Sequence, residues 1–282
     1  MASQVFEYIF LVFFLHFSLI SSNKILSNVE FLKSLNGVQK GDNVKGVSEL
    51  KNYLAYLGYL NYNHCSSNHT HKNKNIFDNS LEFALKKYQN FYNLNATGFL
   101  DASTIAKLHE PRCDVPDFFN DGDNPFRMVS RYSFFYGRPK WRKRKLTYAF
   151  NVNVKNDAIL AFEHAMQEWA SVTRFKFFRV KSVAQANIRI SFMRGHHGGG
   201  LAHSFAPPDG RVHFDAAQNW STSGAENAFD IQTVGLHELG HVLGLGHSNV
   251  HQAVMHATIA PGERKKLHED DIKGIKALYK LK

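Results

Sequence analysis

One stretch of eleven residues, HELGHVLGLGH at positions 237–247, restricts the possible folds more than any other part of the chain. In an α-helix, positions four residues apart lie on one face, about 6 Å apart along the axis, so His237 and His241 can bind a common ion. His247 lies six residues further on, and an unbroken helix would direct it elsewhere. Gly244 provides the backbone freedom to end the helix. The stretch therefore predicts a helix, a turn and a third histidine that returns to the first two.

The same histidines could instead be incidental residues of a buried helix, because the chain contains 16 histidines. H-E-x-x-H alone is a weak signal at this composition, but the glycine and third histidine at set offsets make chance a poor explanation. Three neutral imidazoles suit Zn²⁺ and leave a fourth position open to water. Glu238, next to the first ligand, is then the candidate general base.

The rest of the chain predicts a helical N-terminal domain at residues 23–110 and an α+β domain at 146–282. Apolar residues recur at helical spacing over 44–60 and 79–93, and Asp101 begins a third, shorter helix. Proline and glycine indicate an irregular boundary after residue 114. Strand and helix patterns are then mixed without strict βαβ alternation, which is typical of an α+β fold.

The first 22 residues are typical of a secretory signal peptide, since an apolar run at 8–20 precedes small polar residues. No later apolar run could span a bilayer, so we expect an exported protein without a membrane anchor. Export would make three N-x-S/T triplets candidate glycosylation sites, at Asn68, Asn95 and Asn219.

The formal net charge of +10 suggests nucleic-acid binding, but six of the basic residues lie together in RPKWRKRK at 138–145. This cluster lacks the interleaved aromatic residues and the broad basic face of a nucleic-acid binder. We therefore predict no nucleic-acid partner. The cluster is interpreted as a processing region, accessible to an activating protease, within a linker at 118–145.

The extended motif H-E-x-x-H-x-x-G-x-x-H, followed by Met255, resembles the metzincin zinc-protease signature. PRCDVPD at 111–117 and the phrase LKNYLAYLGYL narrow the similarity to the matrixins, or matrix metalloproteinases, and most to their plant members. The resemblance implies a catalytic domain with a twisted mixed sheet and three helices, after a three-helix, peptidoglycan-binding-like prodomain. It also implies a monomer that hydrolyses matrix or cell-wall proteins, with Met255 beneath the zinc and the substrate along the strand GLAHSF.

The resemblance further implies that segment 111–117 is a cysteine switch. Cys113 would occupy the fourth zinc position as a thiolate and keep the zymogen inactive, with Arg112 and Asp117 bracing the segment. A disulfide between Cys113 and Cys65 is the alternative for an exported chain. Asp114 stands where the family has glycine, so we expect strain and charge repulsion beside the thiolate, and a zymogen that is less completely inhibited.

The residues that would bind the family's second, structural zinc match the family pattern less completely. His197, His203 and His213 correspond to the histidine ligands, but Gly199 stands where the family has an aspartate. The sequence leaves open whether His196 or water completes a second zinc site or whether the segment is only a flexible loop. Calcium binding is not expected: Asp215 remains, but Gln218 replaces a usual glutamate and the loop is shortened.

Two other functions remain open on the sequence alone. The shortened loop could leave a degenerate relative that binds zinc or peptides without turnover. Alternatively, the N-terminal helices could bind a cell-wall polysaccharide, although helix spacing already buries their aromatic residues.

Overall fold

The computed structural model describes residues 29–61, 74–119, 131–152, 154–195 and 200–281. The expected signal peptide, Cys65, Asn68 and His197 lie outside these residues. Within them, no helix combines the length and apolar composition needed to cross a bilayer.

The N-terminal domain contains three α-helices, preceded by a 3₁₀-helix at Val29–Leu35 that the sequence did not predict. The α-helices are α1 (Val47–Tyr56), α2 (Asn79–Phe91) and α3 (Ala102–Leu108). Asp78 and Asp101 cap α2 and α3, each carboxylate accepting a backbone N–H of the first turn. Leucine and aromatic side chains from all four helices form one core. The predicted three-helix prodomain fold is confirmed.

The C-terminal domain is built on a mixed five-stranded sheet of order β3-β2-β4-β6-β5. In chain order its strands are β2 (Lys145–Phe150), β3 (Lys176–Arg179), β4 (Ile188–Met193), β5 (Ala202–Ser204) and β6 (Arg211–Asp215). The pairings are parallel except that β5 runs antiparallel to β6. Strand β5 therefore forms one edge of the sheet, and its outer side can pair with another extended segment.

Three helices complete this domain and confirm the predicted α+β class: α4 (Asn156–Val172), α5 (Ile231–Val242) and α6 (Glu269–Tyr279). Phe162, Met166 and Trp169 project from α4 into the core, as their spacing predicts. Helices α4 and α5 approach closely at Gly235, where a Cβ would lie 3.1 Å from the Phe162 ring. Asp230 caps α5 through the Thr233 N–H at 2.8 Å. The first contact packs α5 against α4, and the cap fixes the residue at which α5 begins.

Residues 131–145, which the sequence assigned to the second half of the linker, pack on the C-terminal domain. Strand β1 (Tyr132–Phe134) pairs antiparallel with β9 (Leu245–Ser248), and neither strand was predicted from the sequence. Trp141 is buried and donates its indole N–H to the Val242 carbonyl at 2.8 Å. The remaining strands, β7 (Trp220–Ser221) and β8 (Phe229–Asp230), form a short parallel pair. The C-terminal domain therefore includes strand β1, which begins at Tyr132.

Replacing Trp169 with alanine is expected to lower the free energy of unfolding by about 3–5 kcal/mol, because it leaves a large cavity in a fully buried site. The Trp169 indole N–H also bonds the Leu236 carbonyl at 2.8 Å. Urea unfolding followed by circular dichroism measures the change. Leu160→Ala on the same helix is the control, since that side chain is 55% exposed. Equal effects of the two substitutions would contradict the prediction.

Candidate metal centre and active site

Three histidines converge at the C-terminal end of α5. His237 and His241 lie one turn apart, and their Nε2 atoms are 3.1 Å from each other. The chain reverses at Gly244, where φ is +102° and a Cβ would lie 2.4 Å from the Pro139 carbonyl oxygen. Strand β9 then brings the His247 Nε2 atom to 3.2 Å from that of His241. The helix, turn and returning histidine predicted from the sequence are all present.

The other ring nitrogens of these histidines hold the Nε2 atoms in position for metal binding. Each Nδ1 lies 2.7–2.8 Å from an oxygen that can only accept a hydrogen bond, so each Nδ1 carries the proton and each Nε2 lone pair faces the common point. Burial lowers the pKa of all three imidazoles, which keeps them neutral, as metal ligation requires. The acceptors are the carbonyl oxygens of Val254 and Leu245 and the Asp117 carboxylate.

Cys113 completes the group from the N-terminal side. Its thiol is free, and Sγ lies 3.6 Å from the His241 Nε2 atom. One ligand atom from each of Cys113, His237, His241 and His247 lies within 4.8 Å of the other three. Burial raises the pKa of the Cys113 thiol in the metal-free protein. A divalent cation at the shared point would supply the charge that a thiolate needs, so this N₃S set fits Zn²⁺.

Segment 111–114 lies between the edge strand β5 and residues 257–259. The Cys113 N–H donates to the Ala257 carbonyl at 2.9 Å, and the Leu201 N–H donates to the Arg112 carbonyl at 2.9 Å. These main-chain bonds hold the thiol over the histidines. They also occupy the strand edge along which the resemblance implies that a substrate lies.

Glu238 follows the first ligand and is fully buried. The Ser204 hydroxyl donates to Oε2 at 2.6 Å, whereas Oε1 has no hydrogen-bond partner among the described residues. Burial raises the pKa of Glu238 to about 7, although the Ser204 hydrogen bond lowers it. A buried carboxylate oxygen without a partner is costly, so Oε1 is suited to bind a water or a substrate proton.

Met255 lies directly beneath α5. A Cβ on Gly240 would fall 2.2 Å from the Met255 Sδ atom, so only glycine allows this approach between the two helical histidines. The Ser248 N–H donates to the Met255 carbonyl at 2.9 Å, which ties this residue to β9. The methionine therefore supports both elements that carry histidines.

Comparison with known proteins gives the family directly. A family model described as matrixin matches residues 140–280, and one described as a putative peptidoglycan binding domain matches residues 43–108. The chain belongs to the matrixin family. This matrixin is 41% identical over 261 residues to Metalloendoproteinase 1 of Glycine max, covering 85% of this chain and 83% of that protein. It is 38% identical over 279 residues to Metalloendoproteinase 5-MMP of Arabidopsis thaliana, covering 89% and 75% of the two chains.

A human relative, Matrix metalloproteinase-20, is 39% identical over 219 residues, which cover 71% of this matrixin and 42% of the human protein. The predicted similarity to the matrixins, including plant members, is confirmed. The protein is therefore a zinc metalloendoproteinase with a three-histidine site and a cysteine supplied by its prodomain.

The residues predicted to bind a second zinc or calcium are only partly brought together. His203 and His213 face each other across β5 and β6, with 3.0 Å between the His203 Nε2 and His213 Nδ1 atoms. The Asp215 carboxylate accepts the Ala217 N–H at 2.9 Å and the Gln218 side-chain amide at 3.1 Å. Within the described ranges, only the group around His241 brings together three or more potential metal ligands. Binding of a second zinc stays a prediction, and calcium binding remains unexpected.

Asp114 does not strain the backbone, so that part of the prediction is wrong. Its φ lies outside the left-handed region that favours glycine. Its amide donates to the Ala202 carbonyl at 2.9 Å, and its side chain lies against Gly200, where a Cβ would come 2.5 Å from Oδ1. The Asp114 charge nevertheless contributes to the raised pKa of Glu238. A less completely inhibited zymogen stays a prediction, based on charge alone.

Asp117 has a larger role than the sequence suggested. Besides its ion pair with Arg112 (Nη2–Oδ1, 2.8 Å), it accepts hydrogen bonds from the Tyr59 hydroxyl at 2.8 Å and the His247 Nδ1 atom at 2.8 Å. Burial would raise the pKa of Asp117, but the Arg112 guanidinium and His247 hold it well below its usual range. Sequence reasoning missed this contact, as it missed Ser204, because neither partner is near its target in the chain.

Replacing Asp117 with asparagine is expected to accelerate zinc loss from the proprotein by about 10- to 100-fold, because a carboxylate that orients a ligating histidine contributes about that much to metal affinity. The rate of zinc transfer to a chromogenic chelator measures it. Tyr59→Phe is the control, since it removes one hydrogen bond to Asp117 and leaves His247 untouched. Cys113→Ser separates loss of the thiolate from loss of the carboxylate. Wild-type release rates in Asp117→Asn would refute the role.

Proposed function

We propose that this protein is a secreted endopeptidase, made as a zymogen, that hydrolyses extracellular matrix or cell-wall proteins. The single observation that carries the peptidase assignment is the joint geometry of the site. Three neutral imidazoles share one point, the Cys113 thiol lies against it, and the Glu238 Oε1 atom, for which the described residues provide no hydrogen-bond partner, is buried beside it. Secretion rests on the apolar run at 8–20 and its polar flank.

His237, His241 and His247 would hold the zinc through their Nε2 atoms, and Cys113 would be the fourth ligand in the zymogen. When bound, zinc supplies a Lewis acid that acidifies water and stabilises the charge that develops on a scissile carbonyl oxygen. Asn95 and Asn219 are exposed, which suits the proposed glycosylation in the secretory pathway.

Glu238 acts as general base and then as general acid. Ser204 holds Oε2, so Oε1 is left to accept a proton from the attacking water and to pass it to the departing amine. In the metal-free proprotein burial raises the pKa of Glu238 to about 7. A carboxyl group that serves in both steps needs a pKa near the working pH, so that it can accept and release a proton. The substrate main chain takes the position of segment 112–114, pairing with the β5 edge near Ala202.

Activation requires segment 111–117 to leave the cleft, and cleavage of the chain makes that departure permanent. Because β1 and Trp141 are bound to the C-terminal domain, we propose that the activating protease cuts before residue 131 and that the basic cluster stays with the mature enzyme. Ala257 stands where the resemblance implies proline, in the wall of the proposed pocket for the substrate side chain that follows the cut.

Metal content and peptide hydrolysis, measured on the same samples, test the proposal. Purified proprotein is expected to contain at least one tightly bound zinc per chain by mass spectrometry and to cleave a quenched peptide much faster after prodomain removal than before it. Zinc chelation should abolish the activity, and zinc addition should restore it. Folded protein without zinc, or zinc-loaded mature protein without hydrolysis, would overturn the assignment.

A further inference from the structure

A basic cavity lies between the start of the C-terminal domain and its last helix. It has a volume of about 170 Å³ and is lined by Arg142, Lys143, Arg144, Arg174 and Lys280, together with apolar side chains. A second cavity of about 350 Å³ shares Arg174 and Leu281 with the first and adds Lys276. The two spaces therefore adjoin, and we call them together the basic recess.

The charge of this recess is uniform. Neither lining contains an aspartate or a glutamate. Over the part of the chain that the structure describes, none of its basic side chains forms an ion pair. Holding like charges together without counterions is unfavourable, and binding of a polyanion relieves that repulsion.

Aromatic residues at the base of the recess hold the basic segments in place. The Trp141 backbone N–H donates to the Tyr279 hydroxyl at 3.1 Å, and that hydroxyl donates to the Leu243 carbonyl at 2.8 Å. The Phe175 and Tyr279 rings meet edge to face, with 5.0 Å between their centroids. The charges thus come from three distant parts of the sequence but surround a common, rigid base.

We propose that the basic recess binds an acidic polysaccharide. Guanidinium groups match carboxylates in bidentate geometry, and basic side chains distributed over two adjoining spaces suit a polymer that carries one acidic group on each successive ring. An acidic peptide that binds by strand pairing fits less well, because neither lining includes a residue of a β-strand. Neither lining includes a residue of the zinc site, so this is a separate site.

The consequence is attachment of the enzyme to an acidic matrix while its active site stays free. The choice of an extracellular polymer as the ligand rests on the proposed function, whereas the binding of a polyanion does not. Because the basic segment stays with the domain when the chain is cut before residue 131, both proprotein and mature enzyme would bind.

The experiment measures binding of the full-length proprotein to polygalacturonate, with its fully methyl-esterified form as the uncharged control. The test variant removes three recess charges, Arg142→Gln, Arg144→Gln and Arg174→Gln. The matched control removes three exposed charges outside both linings, Lys155→Gln, Lys181→Gln and Lys266→Gln. Both variants are compared with wild type by thermal unfolding and, after prodomain removal, by peptide hydrolysis.

Wild type should bind polygalacturonate and not the esterified polymer, and the recess variant should bind at least about tenfold more weakly, as loss of three contacts to a polyanion predicts. The charge-matched control should stay within about twofold of wild type. Equal losses in both variants, or equal binding of polyglutamate or DNA, would overturn the proposal. Peptide hydrolysis should be unchanged in both variants, so failure of the recess and failure of the peptidase are separate results.

Discussion

Replacing Glu238 with glutamine is expected to reduce peptide hydrolysis by the mature enzyme about 100- to 10,000-fold, the range that a positioned general base contributes. Glutamine keeps the size of the side chain and can still bond the Ser204 hydroxyl, but it cannot accept a proton from water. The loss should therefore appear in kcat, with zinc content and substrate binding preserved. Stopped-flow hydrolysis of a quenched peptide and metal analysis of the same preparation measure both.

The control for Glu238→Gln is Ser204→Ala, which removes the hydrogen bond to Oε2 and leaves the carboxyl group in place. A smaller loss is expected, together with a shifted pH profile, because that hydrogen bond lowers the pKa of Glu238. The acid limb of kcat should move to higher pH in Ser204→Ala. A Glu238→Gln enzyme that keeps more than about a tenth of wild-type activity would rule out the general-base role.

Replacing Cys113 with serine is expected to activate the uncut proprotein by a factor on the order of 100. Four-ligand zinc sites bind with about 10–16 kcal/mol, so one ligand contributes roughly 3 kcal/mol if the total is shared evenly. A serine hydroxyl is a poor substitute for a thiolate, so the inhibitory segment would leave the cleft more often. Peptide hydrolysis by intact proprotein, checked for integrity by mass spectrometry, measures the gain.

Two further measurements test the inhibitory role of Cys113. Asp114→Gly should give tighter inhibition than wild type, because it removes a carboxylate that faces Glu238. Thiol alkylation under mild denaturation should block re-inhibition in the wild type and have no effect in Cys113→Ser. If the uncut Cys113→Ser proprotein is as inactive as the wild type, the main-chain contacts of segment 111–114 suffice for inhibition.

The sequence predicted the metal centre well because its geometry is local. His237 and His241 are one helical turn apart, and Gly244 indicates that the chain reverses and brings His247 back to them. Helical spacing and one glycine were therefore enough to predict the site. The helices of both domains could also be predicted from the sequence, because the spacing of their apolar residues and the capping residues Asp101 and Asp230 can be recognised there.

The missed features depend on contacts between distant segments. Strands β1 and β9 are short, and their pairing joins residues 132–134 to residues 245–248, so no local pattern marks either strand. Trp141 sits among basic residues and was therefore assigned to a linker, although its ring is buried against α5. Ser204 and Asp117 reach Glu238 and His247 only after the chain has folded.

The hydroxyls of Tyr59 and Tyr92, both from the core of the N-terminal helices, hold the far oxygen of Asp117. Inhibition of the enzyme therefore depends on the folded state of this N-terminal helical bundle. Unfolding of this bundle would remove both hydroxyl contacts to Asp117 and loosen the inhibitory segment without cleavage of a peptide bond.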